Sequence, residues 1–156
     1  MKNDDAMKVA VVGSGYWGRN LVRNYAELGA LCAVCDSSTE ALEAFRTKYA
    51  GVRCTTDYRE ILDDGKITGV VIATPAATHF SLAREALLSG KDVFVEKPLA
   101  LHVGEAEELK AVSEKQGRIL MVGHLLQYHS AFIRLKELIR AGELGRIHYI
   151  YSNRLS

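Results

Sequence analysis

Apolar residues fall along this chain in two alternating rhythms: short runs rich in β-branched residues, and longer segments with apolar positions three and four apart. Val9-Ala10-Val11-Val12 is the first run and Gly13 ends it. Trp17, Leu21, Tyr25 and Leu28 then follow at helical spacing until Gly29. Leu31 to Cys35 reads as a second strand closed by Asp36. Ser37-x-x-Glu40 has the form of a capping box, opening a helix with Ala41, Leu42, Phe45 and Tyr49 on one face.

The alternation continues. Gly69-Val70-Val71-Ile72-Ala73 is a continuous apolar run, the pattern of a strand covered on both faces, and the helix after it ends at Gly90. Asp92 to Val95 and Ile119 to Val122 are two further strands. The helix between them carries Glu105, Glu107 and Glu108 near its start and Lys115 near its end, matching the helix dipole. Strands alternating with helices in this way predict an α/β fold: a Rossmann-type, doubly wound, mostly parallel sheet.

The carboxyl end departs from the pattern. A helix with Phe132, Leu135, Leu138 and Ile139 on one side runs to Gly142. Arg146 to Asn153 then alternates Ile147, Tyr149 and Tyr151 against His148, Ile150 and Ser152, which predicts a strand with one buried face. No later strand follows to pair with it. The expected organisation is therefore a loose extension over residues 1–7, a dinucleotide-binding domain over 8–127, and a connecting helix plus the first strand of a truncated C-terminal α+β domain over 128–156.

Composition narrows the function. The 156 residues are 48% hydrophobic and 25% charged, which is ordinary globular usage, and the formal net charge of +1 lacks the basic excess of a nucleic-acid binder. No apolar run approaches a membrane span, and Met1 to Met7 lacks the apolar stretch of a signal peptide, so a cytoplasmic protein is expected. Cys32, Cys35 and Cys54 are an odd number. Cys32 and Cys35 form a C-x-x-C inside a predicted strand, where residues three apart point to opposite faces, so buried thiols are expected and a metal site is not.

Gly13-Ser14-Gly15-Tyr16-Trp17-Gly18 is G-x-G-x-x-G between a predicted strand and a predicted helix. There the first glycine permits a tight turn, the second lets backbone approach a pyrophosphate, and the third lets helix and strand pack closely. Asp36, at the end of the second strand, lies eighteen positions past Gly18. A carboxylate there accepts hydrogen bonds from the adenosine ribose and repels a 2'-phosphate, and Ser37 and Ser38 supply no arginine, so the expected cofactor is NAD. Asp36 as a simple cap of the following helix is the competing reading.

Two later stretches carry a family signature: Ala73-Thr74-Pro75 with His79 after one strand, and Glu96-Lys97-Pro98 after the next. With the glycine turn they resemble the Gfo/Idh/MocA oxidoreductases, over essentially the whole chain. Residues 122–129 and 149–155 look most like members that oxidise carbon 3 of UDP-N-acetylglucosamine or its uronic acid. The resemblance implies that Thr74, Pro75, His79 and Gln127 belong to the cofactor wall, with Glu96 and Lys97 beside nicotinamide and substrate. Lys97 is then the candidate catalytic residue, taking part in proton removal while a secondary hydroxyl of a sugar or UDP-sugar is oxidised.

Blander readings stand beside these. Lys97 can simply end a strand at the surface, His79 can be a solvated helix residue, and His124 and His129 can reach the cofactor or only cap and pack. The family's second domain shapes the sugar site, supplies a histidine partner to the lysine and often forms the oligomer interface; its histidine motif is absent here. A homo-oligomer is expected of the full-length form, and this chain is expected to bind NAD but to turn over sugar poorly. A stand-alone NAD(H)-binding, redox-sensing module is the alternative, weakened by Lys97, which a sensor does not need.

Overall fold

The computed structural model describes residues 7–153. The described chain divides at Gly123/His124 into two compact units, four residues before the expected boundary at 127. The extension expected over 1–7 lies, apart from Met7, outside the described residues.

The first unit contains β1 (Val9–Val12), α1 (Gly18–Glu27), β2 (Leu31–Cys35), α2 (Thr39–Lys48), β3 (Arg53–Thr55), α3 (Tyr58–Asp63), β4 (Gly69–Ile72), α4 (His79–Leu88), β5 (Asp92–Val95), α5 (Val103–Gln116) and β6 (Leu120–Val122). All strand pairs are parallel and the spatial order is β3-β2-β1-β4-β5-β6. This is the dinucleotide-fold order, with the chain reversing direction across the sheet between β1 and β4.

Strand side chains alternate between two cores. Ala10, Val12, Ala33, Cys35, Val70 and Ile72 pack with Ile61, Ala83, Leu87 and Leu109 on one face. Val9, Val11, Val34 and Val71 pack with Leu21, Val22, Leu42 and Phe45 on the other. Helices thus cover both faces, which explains why β1 and β4 are buried at every position.

Three local expectations are corrected. The cap of α2 is Ser38, whose hydroxyl accepts from the Ala41 N–H at 3.2 Å, so Ser37 and Glu40 do not form the box their spacing suggested. Cys32 and Cys35 pack against the same core, because the β1–β2 register shifts between Val9 and Ala10 and breaks simple alternation at Cys32. The Cys32 thiol donates to the Val9 carbonyl at 3.3 Å. Strand β3 and helix α3 lie in a stretch where periodicity predicted no element.

The second unit holds a short 3-10 turn, Leu125–Tyr128, and α6 (Ser130–Arg140). The strand expected over Arg146–Asn153 does not form: the residues from Arg146 to Asn153 are exposed and without strand structure. A strand exists through ladder bonds to a neighbour, and among the described residues nothing pairs with this segment. No helix among the described residues is long and apolar enough to cross a membrane.

Candidate cofactor site

The site is built where ladder hydrogen bonds run past the strand ends. Gly13 N–H donates to Cys35 O at 2.8 Å, Asp36 N–H to Thr55 O at 3.2 Å, Ala73 N–H to Val12 O at 2.8 Å, Glu96 N–H to Ile72 O at 2.9 Å and Gly123 N–H to Val95 O at 2.8 Å. The residues leaving β1, β2, β4, β5 and β6 are thereby fixed in one row at the carboxyl edge of the sheet. Ligands of open α/β sheets bind at this edge, at the reversal point.

A cleft of about 690 Å3 opens there, lined by Gly13, Gly15, Asp36, Thr74 and Pro75 among the expected residues. Gly13 has φ +89° and passes so close to β4 that a Cβ would lie 2.7 Å from the Ala73 carbonyl carbon and oxygen. A Cβ on Gly18 would overlap the Gly13 carbonyl, so α1 can begin this close to β1 only with glycine there. Gly15 has nothing within 4 Å of a Cβ position, which leaves open space against exposed backbone where the motif places a pyrophosphate. The cradle therefore fits a dinucleotide.

Asp36 is held by three donors. Ser14 N–H and Ser14 hydroxyl reach Oδ2 at 2.6 and 2.7 Å, and Ser38 N–H reaches Oδ1 at 2.9 Å. Burial works against its ionisation, but donation from Ser38 and Ser14 outweighs this and holds the carboxyl below the usual carboxylate range. The Ser38 contact is to the N–H of the residue that caps α2, so Asp36 braces the approach to that helix without capping it, and it lines the cleft.

The structure brings together Trp17 and Glu96: indole Nε1 donates to Glu96 Oε1 at 2.6 Å, and Glu96 is only 7% exposed. A Cβ on Gly123 would meet Glu96 Oε1 at 2.9 Å, so β6 closes the other side of that carboxylate. Lys97 and Pro98 are exposed beyond it, and Tyr16 is exposed on the glycine turn. His79 is buried, its Nδ1 2.6 Å from Pro98 O and its Nε2 2.9 Å from Thr74 O. The reading of His79 as a solvated residue is thus replaced by one in which it ties the Thr74-Pro75 turn to the Lys97-Pro98 turn. The Thr78 hydroxyl lies 2.7 Å from the Thr74 hydroxyl and 2.8 Å from Pro75 O, stiffening the same turn.

Gln127 and His129 belong to the second unit. Gln127 Oε1 accepts from Lys136 Nζ at 3.0 Å, and His129 Nδ1 accepts from Ala131 N–H at 3.3 Å, which makes His129 the cap of α6.

Some cleft residues escaped sequence reasoning. Tyr58 and Leu82 line it together, with the Tyr58 hydroxyl donating to Leu82 O at 2.8 Å. Burial pushes the Tyr58 hydroxyl well above its ordinary range. A signal was available: Asp57 accepts from Arg59 N–H at 2.8 Å, the cap that starts α3, and Thr55-Thr56-Asp57 is a polar stop of the kind seen at Asp36. Cys35 also lines the cleft, but burial raises its thiol to about 11.

Residues 7–124 match the family described as "Oxidoreductase family, NAD-binding Rossmann fold". The chain belongs to the Gfo/Idh/MocA family. It is 35% identical over 150 residues to scyllo-inositol 2-dehydrogenase (NAD(+)) of Bacillus subtilis strain 168, covering 92% of this chain and 43% of the relative. It is 28% identical over 150 residues to UDP-N-acetylglucosamine 3-dehydrogenase of Acidithiobacillus ferrooxidans, covering 96% of this chain and 46% of that protein. Among solved structures, GenD2 from gentamicin A biosynthesis in complex with NAD superimposes with a TM-score of 0.82 at 34% identity, over 88% of this chain and 40% of that one. The chain thus spans less than half the length of these relatives. Its first unit is an NAD-binding Rossmann domain of an oxidoreductase family.

Proposed function

We propose that this chain is the cofactor-binding part of an NAD-dependent dehydrogenase that oxidises a secondary ring hydroxyl of a sugar, cyclitol or nucleotide sugar. NAD supplies the hydride acceptor. Gly13 to Gly18 cradle the pyrophosphate, with Ser14, Tyr16 and Trp17 on that turn, Asp36 takes the ribose, and Thr74, Pro75, His79 and Glu96 build the nicotinamide end. Relatives named as inositol and UDP-N-acetylglucosamine dehydrogenases support a polyhydroxylated ring as substrate, without choosing between them.

The observation that carries the reading is the Glu96-Lys97 stretch at the carboxyl end of β5, followed by Pro98, whose carbonyl buried His79 joins to the Thr74 carbonyl after β4. Lys97 is then the group that takes the hydroxyl proton as hydride leaves the carbon. The sugar acted on and any homo-oligomer are part of the proposal for the whole protein, since the chain covers 43% and 46% of those relatives. The test is NADH formation from inositols and UDP-sugars by the complete polypeptide and its Lys97→Ala variant. Loss of turnover by on the order of a hundredfold or more in the variant, with NAD affinity kept, supports the role. Near-normal turnover removes Lys97 from the chemistry.

A further inference from the structure

Ser14 occupies the first variable position of the glycine turn, and it is fully buried while Gly15, Tyr16 and Trp17 beside it are exposed. A buried hydroxyl beside three exposed turn residues needs a reason. The hydroxyl and the N–H of Ser14 converge on one oxygen of Asp36, twenty-two residues away, at 2.7 and 2.6 Å. The N–H would be supplied by any residue; the hydroxyl is specific to serine at this place.

We propose that Ser14 is a specificity-determining residue, which sets the preference for NAD over NADP by locking the orientation of the Asp36 carboxylate. Oδ2 is fixed by Ser14 and Oδ1 by the Ser38 N–H at 2.9 Å, so the carboxylate cannot turn away from the cleft it lines. A mobile aspartate could rotate to relieve repulsion from a 2'-phosphate; a clamped one meets that phosphate with full charge. Ser14 is a positioning residue, acting on the cofactor through Asp36. Hydrogen bonds to an ionised acceptor are the strong kind, so removing one of the three changes how rigidly the charge is held.

Among the described residues that line the cleft around Asp36 there is no Lys, Arg or His. Cys35 precedes it on the strand, Tyr58 shares the cleft, and Asp57 and Glu60, from the start of α3, act with Asp36 on the Cys35 thiol. Donor hydrogens, with Ser14 giving two of the three, are what hold this carboxyl below the usual carboxylate range.

The inference rests on the reading that Asp36 meets the adenosine ribose, and the experiment separates the two. Dissociation constants for NADH and NADPH are measured by calorimetry on the full chain and on Ser14→Ala, Asp36→Ala and the double variant. The expected result is a narrowing of the NADH/NADPH preference by about tenfold in Ser14→Ala, a larger loss in Asp36→Ala, and no further change when Ser14→Ala is added to Asp36→Ala. Equal weakening of both nucleotides in Ser14→Ala, or an unchanged ratio beside a collapsed one in Asp36→Ala, overturns the role of Ser14. An unchanged ratio in Asp36→Ala overturns the ribose reading and this inference with it. A cofactor-free readout accompanies these: the carboxyl carbon of Asp36, followed by NMR, titrates at higher pH in Ser14→Ala than in the native chain, and coincident titrations count against the clamp.

Discussion

Trp17 Nε1 and Glu96 Oε1, seventy-nine residues apart in sequence, meet at 2.6 Å and join the glycine turn after β1 to the turn after β5. Glu96 is buried between this indole and the backbone at Gly123, so the contact fixes the residue that immediately precedes Lys97. In Trp17→Phe the ring remains and the donor is lost, leaving a buried carboxylate short of its partner. A cost of about 1–3 kcal/mol is expected, measured by urea unfolding, because a stranded buried acceptor loses more than the bond itself was worth. Gly123→Ala attacks the same carboxylate from the other side, since its Cβ would stand 2.9 Å from Oε1 and 3.0 Å from Phe94 Cζ. Combined in a double variant, the two costs should fall short of additive.

The glycines of the cofactor turn should respond in opposite ways to the same methyl group. At Gly13 an alanine is strained by the positive φ and collides with the backbone at Ala73, so Gly13→Ala is expected to lose several kcal/mol or fail to fold. At Gly15 nothing lies within 4 Å, so Gly15→Ala should keep the melting temperature within a few degrees while NAD affinity falls, since the methyl enters the space left for the phosphates. Thermal unfolding and calorimetric titration, run on both variants, read this out. A Gly15→Ala protein with unchanged affinity would displace the pyrophosphate from that turn.

Much of this site was legible because its determinants are local. Strand β1, the glycine turn and Asp36 declare themselves by side-chain type and spacing, and β1 and β4 by unbroken apolar runs. What was hidden depends on pairing. The bulge at Cys32 follows from register with β1, and Ser38 rather than Ser37 caps α2 because the chain first has to leave the Asp36 carboxylate. The three-residue β3 is too short for any period to show, yet it carries the chain to Tyr58 in the cleft. The alternation of Arg146 to Asn153 was real, but alternation describes a face, and a strand needs a neighbour.

Cys35 lines the cleft and should nevertheless be inert. Its thiol is raised to about 11, first by burial and then by the charges of Asp36, Asp57 and Glu60. At pH 8 only about one thiol in a thousand is then ionised, and alkylation by iodoacetamide in the native state should be slow, becoming fast on unfolding. The linkage has a definite sign. As pH rises past the ordinary thiol range the unfolded chain loses a proton that the folded chain keeps, so Cys35 makes stability fall with pH up to about 11. A Cys35→Ala variant should show a shallower alkaline loss of stability. Rapid native labelling at Cys35 would mean that the cleft opens around it.

Tyr58 supplies the last prediction, since it marks the cleft wall that the sequence did not disclose. Its hydroxyl donates to Leu82 O at 2.8 Å, tying the start of α3 to α4, and its ring faces the same space as Asp36 and Thr74. In Tyr58→Phe the ring stays and the bond goes, so stability should drop by about 1 kcal/mol, while NAD affinity holds if the ring alone forms the wall. Tyr58→Ala removes the wall as well, and its NAD affinity should fall beyond that of Tyr58→Phe, because an apolar face lost from a cleft is replaced by water. Calorimetric titration of the two variants separates the tether from the wall. If Tyr58→Ala binds NAD as tightly as Tyr58→Phe, the cofactor does not use this side of the cleft.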